Sequence, residues 1–325
     1  VRNKEFNSRI LSIVAMAGIL PVWADAWGQA YPSKTIRIVV GSTPGGAVDT
    51  VARLLLPKLS EQLGQPVLVE NRAGASGAIA TERVIKAPPD GYSLTLLSSN
   101  AVILSVLRPD LPYSVEKDLA PISLVASAPL ALVVHPSLPA RNVKEFIALA
   151  KSRPGSLDFA HTGVGSVGHI AGELLNSLAK IQLNQVAYKG AAEAVIATAA
   201  GEVPINLPSV TSAMSLLGTG KFRVLAVTSA TRSTLMPSIP TLSEAGVPGY
   251  DFTVWFGVFT STAVSKEIIQ QLNTTITKVV QTPEMKTAIN NIGQEPLTST
   301  VDQFNSFMRS ETDKFRKLVK LAKLI

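Results

Sequence analysis

Two glycine-rich loops, each set between a short apolar segment and a helical one, constrain this chain more than any other feature. The first reads Gly41-Ser42-Thr43-Pro44-Gly45-Gly46, after the apolar residues 35–40 and before the periodic stretch 48–63. The second reads His161-Thr162-Gly163-Val164-Gly165-Ser166-Val167-Gly168-His169, between the apolar residues 157–160 and a helical run over 168–179. Strand, tight turn and helix in that order build open α/β sheets. In such sheets ligands bind beyond the carboxyl ends of the strands, where helix N-termini present free backbone N–H groups.

The remaining pattern repeats the same unit. Residues 67–70 and 93–98 read as strands and 77–87 as a helix, so the first half predicts a parallel sheet covered on both faces. The second half restarts, with strands at 130–134, 157–160, 185–188 and 224–228 and helices at 143–152, 168–179 and 191–200. A turn-rich stretch with three prolines follows, then a strand at 252–259 and helices at 266–281 and 301–323. By length these last elements return to the first sheet. The expected organisation is therefore a discontinuous first domain, residues 31–126 and 257–325, around a second domain, residues 127–256. The crossings fall near residues 124–131 and 250–257.

The 325 residues, 46% of them hydrophobic, suffice for two cores. Arg2, Lys4 and Arg9 precede an apolar run over residues 10–22 and the small-residue pattern Ala24-Asp25-Ala26. That is the layout of a secretory signal peptide, residues 1–26, with Ala30 as a second candidate cleavage point. No later segment is long and apolar enough to span a membrane, so the expectation is a soluble exported chain. The absence of cysteine removes disulfides, thiolate nucleophiles and sulfur-ligated metals. The formal charge of +7 is modest, and its one concentration, Lys314 to Lys323, alternates with Phe315, Leu318, Val319 and Leu321. This reads as a solvated helix face and gives no reason to expect nucleic acid.

Neither loop carries a complete catalytic or nucleotide motif. The first lacks the Gly-Lys-Ser/Thr ending of a P-loop. Asp49, in the first turn of the helix behind it, has two open roles: capping the helix and touching a donor group of a ligand. The second loop matches the dinucleotide pattern at Gly163, Gly165 and Gly168. However, Val186-Ala187-Tyr188-Lys189 occupies the place of the acid that would hold a ribose. Thr162, Ser166 and the amides of residues 164–166 suit a carboxylate instead. Ser166 fails the Gly-x-Ser-x-Gly elbow. Of three histidines, His135 reads as a surface residue and His169 as a structural partner at a helix start, and no pair has metal-ligand spacing. Ser98-Ser99-Asn100 and Tyr188-Lys189-Gly190 end strands that face the crevice, with Lys189 open to an anion-complementing or a solvated role. Trp255 is open to two readings, core packing or one wall of the cleft.

With these residues in view, the chain resembles the Bug-type solute-binding receptors, the extracytoplasmic component of tripartite tricarboxylate transporters, from about Tyr31 to the C-terminus. The resemblance rests on Pro44-Gly45-Gly46 with Asp49 and Ala52-Arg53, on Val69-Glu70-Asn71-Arg72 with Gly74 and Gly77, and on Pro89-Asp90-Gly91-Tyr92. It continues through Asp118-Leu119-Ala120-Pro121-Ile122, Gly163 to His169, Tyr188-Lys189-Gly190 and Leu225-Ala226-Val227-Thr228. Pro240-Thr241, Glu244-Ala245-Gly246 and Trp255-Phe256-Gly257 complete it. It implies a type II periplasmic-binding-protein fold of two hinged α/β domains, a monomer without cofactor or catalytic residues, and a small carboxylate held between the loops. The implied contacts are Thr43, Pro44, Gly45, Ala47, Asp49, Ser99, Thr162, Gly165, Ser166 and Tyr188. The implied partners are the transporter's membrane components, or a sensor kinase in some relatives; a dinucleotide-binding oxidoreductase is the alternative. Three departures stand near the cleft. Gly41-Ser42 replaces a ring-bearing pair, His161 replaces a small hydroxyl residue, and Pro204 and Pro208 stand where many relatives carry aspartates. These bear on the far end of the ligand, and His161 adds an expectation of pH-dependent affinity.

Overall fold

The computed structural model describes residues 31–321 and residue 324; the expected leader, residues 1–26, lies outside them. The chain begins with β1 (Ile36–Val40), α1 (Ala47–Leu63), β2 (Val67–Asn71), a short 3-10 turn (Ala75–Gly77), α2 (Ala78–Ile85), β3 (Ser93–Ser98), α3 (Ser99–Leu107), α4 (Val115–Asp118) and β4 (Leu119–Pro129). It continues with β5 (Ala131–Val134), α5 (Val143–Ser152), β6 (Asp158–His161), α6 (Val167–Ala179), β7 (Asn184–Ala187), α7 (Ala191–Ala200), β8 (Ile205–Asn206), α8 (Val210–Leu217) and β9 (Arg223–Val227). It closes with β10 (Thr253–Ser261), α9 (Lys266–Gln281), α10 (Pro283–Asn291), β11 (Glu295–Pro296) and α11 (Val301–Leu321).

Two sheets result, in the orders β11-β4-β10-β3-β1-β2 and β7-β6-β8-β5-β9. Both are mixed, which corrects the all-parallel expectation. β1 pairs parallel with β2 and β3, while β10 runs antiparallel to β3 and β4. In the second sheet β6 is parallel to β7 and β8, and β5 is antiparallel to β8 and β9. An apolar run records burial on both faces and not strand direction. Direction here follows from connectivity, because β4 and β10 carry the chain out of the first sheet and back into it.

That strand pair forms one long ladder, from Leu119 opposite Ser261 to Pro129 opposite Thr253. Residues 127–129 and 253–256 therefore pair within the first sheet. One residue, Leu130, separates β4 from β5. Thr228 ties both crossings together: its Oγ1 accepts from Leu130 N–H at 2.8 Å, its own N–H donates to Leu130 O at 2.9 Å, and its carbonyl accepts from Phe252 N–H at 2.8 Å. Thr228 is fully buried, so each of these bonds satisfies a group that water cannot reach.

Alternation along the strands sorts the core into faces. Leu94, Leu96, Phe256 and Val258 meet α1 and α9 through Val51, Leu55, Leu272 and Ile276. Leu97, Trp255 and Phe259 point the opposite way, toward α3 and α11. This second cluster continues into the second sheet through Leu132, Val134, Phe159 and Ile170, and α11 packs against both α3 and α6. Trp255 resolves as a core residue. It is 1% exposed, its Nε1–H donates to Glu311 Oε2 at 2.9 Å, and Phe304 and Phe307 pack edge-on to it. The basic residues of α11 are solvated or paired as expected, with Arg316 at 3.1 Å from both Glu116 and Asp313. Among the described residues no helix is long and apolar enough to cross a membrane.

Candidate ligand cleft between the two sheets

Loop 1 leaves β1 at Gly41, where any Cβ would overlap the backbone of Gly77. It then turns through Gly45 at φ +83° to Gly46, the N-cap of α1. The turn closes by a bond from Gly46 N–H to Thr43 O at 3.1 Å. A second bond runs from Gly45 N–H to Asp49 Oδ2 at 2.8 Å. The Asp49 carboxylate also accepts from Arg53 Nε at 3.0 and 2.9 Å and from Asn71 Nδ2 at 2.8 Å, and Asn71 Nδ2 reaches Ser42 O at 3.0 Å. Burial pushes the Asp49 carboxyl up, but the bonds from Arg53, Gly45 N–H and Asn71 outweigh it and hold the group at about 2.

Loop 2 repeats this geometry with a different side chain. Gly165 turns at φ +78°, Ser166 N–H donates to Gly163 O at 3.1 Å, and Gly165 N–H donates to His169 Nδ1 at 3.2 Å. His169 thus stands where loop 1 has Asp49, as a neutral acceptor, which fits its reading as a structural helix-start residue. Gly163 N–H donates to His161 Nδ1 at 3.0 Å, and the two imidazoles lie 4.8 Å apart. Burial lowers the basicity of both rings.

The amides of Gly45 and Gly165 are therefore already engaged. The open donors are one turn further on: among the described residues no acceptor meets the N–H groups of Ala47, Val48 and Asp49 in α1, or of Val167 and Gly168 in α6. In α6 the next amide, His169 N–H, is met by Ser166 Oγ at 3.3 Å.

A cleft of about 620 Å³ lies between the loops. Gly41, Ser42 and Val48 line it from the first sheet, with Gly77 at the start of α2 and Ser98 and Asn100 at the start of α3. Thr162, Gly165, Ser166 and Val167 line it from the second sheet. Four helix N-termini, those of α1, α2, α3 and α6, thus meet at one cavity, and their aligned dipoles favour negative charge there. No lysine or arginine lines it. The rest of the wall is apolar: Leu96, Leu97, Ile103, Leu104, Leu107 and Val164.

Of the ten residues singled out in the sequence, Thr162, Gly165 and Ser166 line this cleft. Thr43, Pro44, Gly45 and Ala47 form the exposed tip of loop 1. Asp49 is buried behind that loop, at 1% exposure, with its carboxylate filled by protein donors. Ser99 does not line the cavity; it is the first residue of α3, fully buried, with its Oγ unpartnered, while its neighbours Ser98 and Asn100 reach the cleft. Tyr188 extends the second sheet, donating its N–H to His161 O at 2.8 Å, and its side chain packs beside Ala160, Ala194 and Val203. Lys189 is exposed. Pro204 and Pro208 flank β8, and their carbonyls carry its pairing with β5 further by accepting from His135 N–H and Ala131 N–H, both at 2.9 Å.

Two contributors were missed in the sequence. Gly77 belonged to an expected helix but caps it instead at φ +95°. The α3 wall follows β3 directly, apolar stretch after apolar stretch, so apolar character alone does not separate helix from strand there. The Ser98-Ser99-Asn100 triplet is the available signal, a run of cap-forming residues between two apolar stretches.

Residues 51–324 match the family described as Tripartite tricarboxylate transporter family receptor. The chain belongs to that family. It is 36% identical to Protein BugT of Bordetella pertussis over 321 residues, covering 96% of this chain and 97% of BugT. Among solved structures it is similar to an R. palustris protein determined with adipate (31% identity, TM-score 0.72, 90% of this chain and 98% of the other). It is also similar to MatC from Rhodopseudomonas palustris with bound malate (29% identity, TM-score 0.70, 89% and 100%) and to the periplasmic binding protein BugD (27% identity, TM-score 0.71, 90% and 99%). The fold is thus the two-domain α/β fold of these receptors. A dinucleotide site is not favoured, since the strand after loop 2 ends at Ala187 and is followed by Tyr188 and Lys189.

Proposed function

We propose that this protein is an exported, periplasmic receptor that binds a small carboxylate between its two domains and delivers it to the membrane components of a tripartite tricarboxylate-type transporter. It acts by binding and closure, without catalysis. The observation that carries this reading is the convergence of four helix N-termini on one cavity that contains no cationic side chain. A carboxylate at that point accepts bonds from Ser166 and Thr162 and from the open amides of α6. As the domains close, Ala47 and Val48 of α1 bring theirs from the other side. Asp49 and His169 hold the two loops in shape and do not touch the ligand. The boundary between the moving bodies is Leu130 on one crossing and the segment before Thr253 on the other.

A thermal-shift panel tests the reading: small carboxylates, their primary amides, NAD and FAD. A carboxylate near 100 times its dissociation constant should add about 2.7 kcal/mol of stability, while the matched amide adds none. A dinucleotide hit, or equal shifts from acid and amide, would overturn it.

A further inference from the structure

A second cavity, of about 730 Å³, lies between the end of α3, α4 and the outer face of α11. It shares α3 with the ligand cleft as a common wall: Leu104 and Leu107 line the cleft, while Ser105, Val106 and Arg108 line this groove. We infer that the groove is a docking surface for an acidic polypeptide segment of a partner protein. Such docking is independent of what the cleft itself binds.

Five cations and one acid line the groove, in a chain whose whole formal charge is +7. Two of the cations are neutralised: Arg108 pairs with Asp110 at 2.7 Å, and Arg316 lies 3.1 Å from both Glu116 and Asp313. The other three, Lys117, Lys317 and Lys320, are exposed, and among the described residues their ammonium groups have no hydrogen bond or ion pair. The dipole of α11 accounts for basic residues in its own last turn, such as Lys320. It does not account for Lys117, which α4 brings to the same concavity from the facing wall.

The shape favours a chain over a flat surface. Along α11, Thr312, Arg316 and Lys320 follow one another at helical spacing, a rise of about 12 Å, which about four residues of extended chain span. Successive side chains of an extended segment point to opposite sides, so alternate acids meet Lys117 on one wall and Lys317 and Lys320 on the other. A bilayer contact would pair the basic residues with protruding apolar ones, and among the described residues none of the large exposed apolar side chains lines the groove.

The test is fluorescence anisotropy of labelled hexaglutamate with the wild-type protein, at about 50 mM salt so that exposed charges are only partly screened. Lys317→Glu/Lys320→Glu should weaken the peptide at least about tenfold. Lys317→Gln/Lys320→Gln, which removes the charges without adding repulsion, should weaken it about threefold or more. The control Lys151→Glu/Lys286→Glu makes the same change in net charge at exposed sites outside the groove and should cost less than about twofold. Equal weakening by groove and control variants would show that binding follows net charge alone and would overturn the inference. Silence from the peptide would also overturn it, and co-sedimentation with phosphatidylglycerol vesicles in that case would make the occupant a membrane.

Discussion

Replacing Asp49 with asparagine removes the charge around which loop 1 is organised while keeping the size of the side chain. The wild-type carboxyl sits at about 2 instead of 3.8. A depression of that size corresponds to about 2.5 kcal/mol of stability at neutral pH. Arg53 is 49% exposed, so solvent screens its share and about 1–2 kcal/mol is the realistic charge contribution. The introduced amide also turns a donor toward Arg53 or Asn71, both donors themselves, which adds roughly 1 kcal/mol. Asp49→Asn should therefore lose about 2–3 kcal/mol at pH 7. The sign with pH follows from a folded value below the unfolded one. The charge contribution is complete above about pH 4, roughly half remains at pH 3, and it vanishes as the pH falls through about 2. Urea denaturation of both proteins at pH 7 and pH 3 reads this directly: the gap should narrow by about 1 kcal/mol at the lower pH. A gap that is negligible at pH 7, or identical at the two pH values, would refute the account of Asp49 as the loop's electrostatic anchor.

Further outcomes follow from the same geometry. Gly45→Ala and Gly165→Ala impose the same backbone strain, at φ +83° and +78°, but only the second adds a contact, with Leu107. Gly45→Ala should cost about 1 kcal/mol and Gly165→Ala about 1–3 kcal/mol in thermal denaturation, and only the latter should also slow domain closure in stopped-flow fluorescence. Thr228→Val deprives the buried Leu130 N–H of its acceptor and should cost about 1–3 kcal/mol in urea melts. Burial depresses His161 and His169, so their neutral forms stabilise the fold fully above about pH 6.5, and that contribution is lost as the pH drops below it. Protonated His169 no longer accepts from Gly165 N–H, so loop 2 loosens and ligand affinity falls as the pH drops below about 6.5. The variant His169→Gln should flatten that profile, and a flat wild-type profile would remove the idea.

The loops were legible in the sequence because their conformations demand glycine. Gly45 and Gly165 both occupy the left-handed region, and both precede a helix whose periodicity is plain. The role of Asp49 was less legible. Capping and ligand contact use the same residue type at the same position, and only the tertiary approach of Asn71 from β2 decides between them. Ser99 and Ser98 illustrate a limit of one residue: in a helix start, neighbouring side chains point about 100° apart, so one reaches the cleft and the other the core. Trp255 could not be assigned without Glu311, 56 residues later in sequence, which supplies its hydrogen bond. Strand direction in β10 was invisible because pairing partners, and not local pattern, determine it. Gly77 entered the cleft through packing, by the close approach of its backbone to Gly41, and of the α3 wall only the start was marked locally, by Ser98-Ser99-Asn100.

The central claim is that one ligand bridges loops carried by two separate domains. Small-angle scattering of the protein, alone and saturated with a carboxylate whose binding has been established by calorimetry, tests it most directly. A compact chain of this size has a radius of gyration of about 20 Å. The radius should be smaller with ligand than without, and unchanged for Ser166→Ala at a concentration that leaves that variant unsaturated. Superimposable curves for the free and fully bound wild-type protein would contradict it.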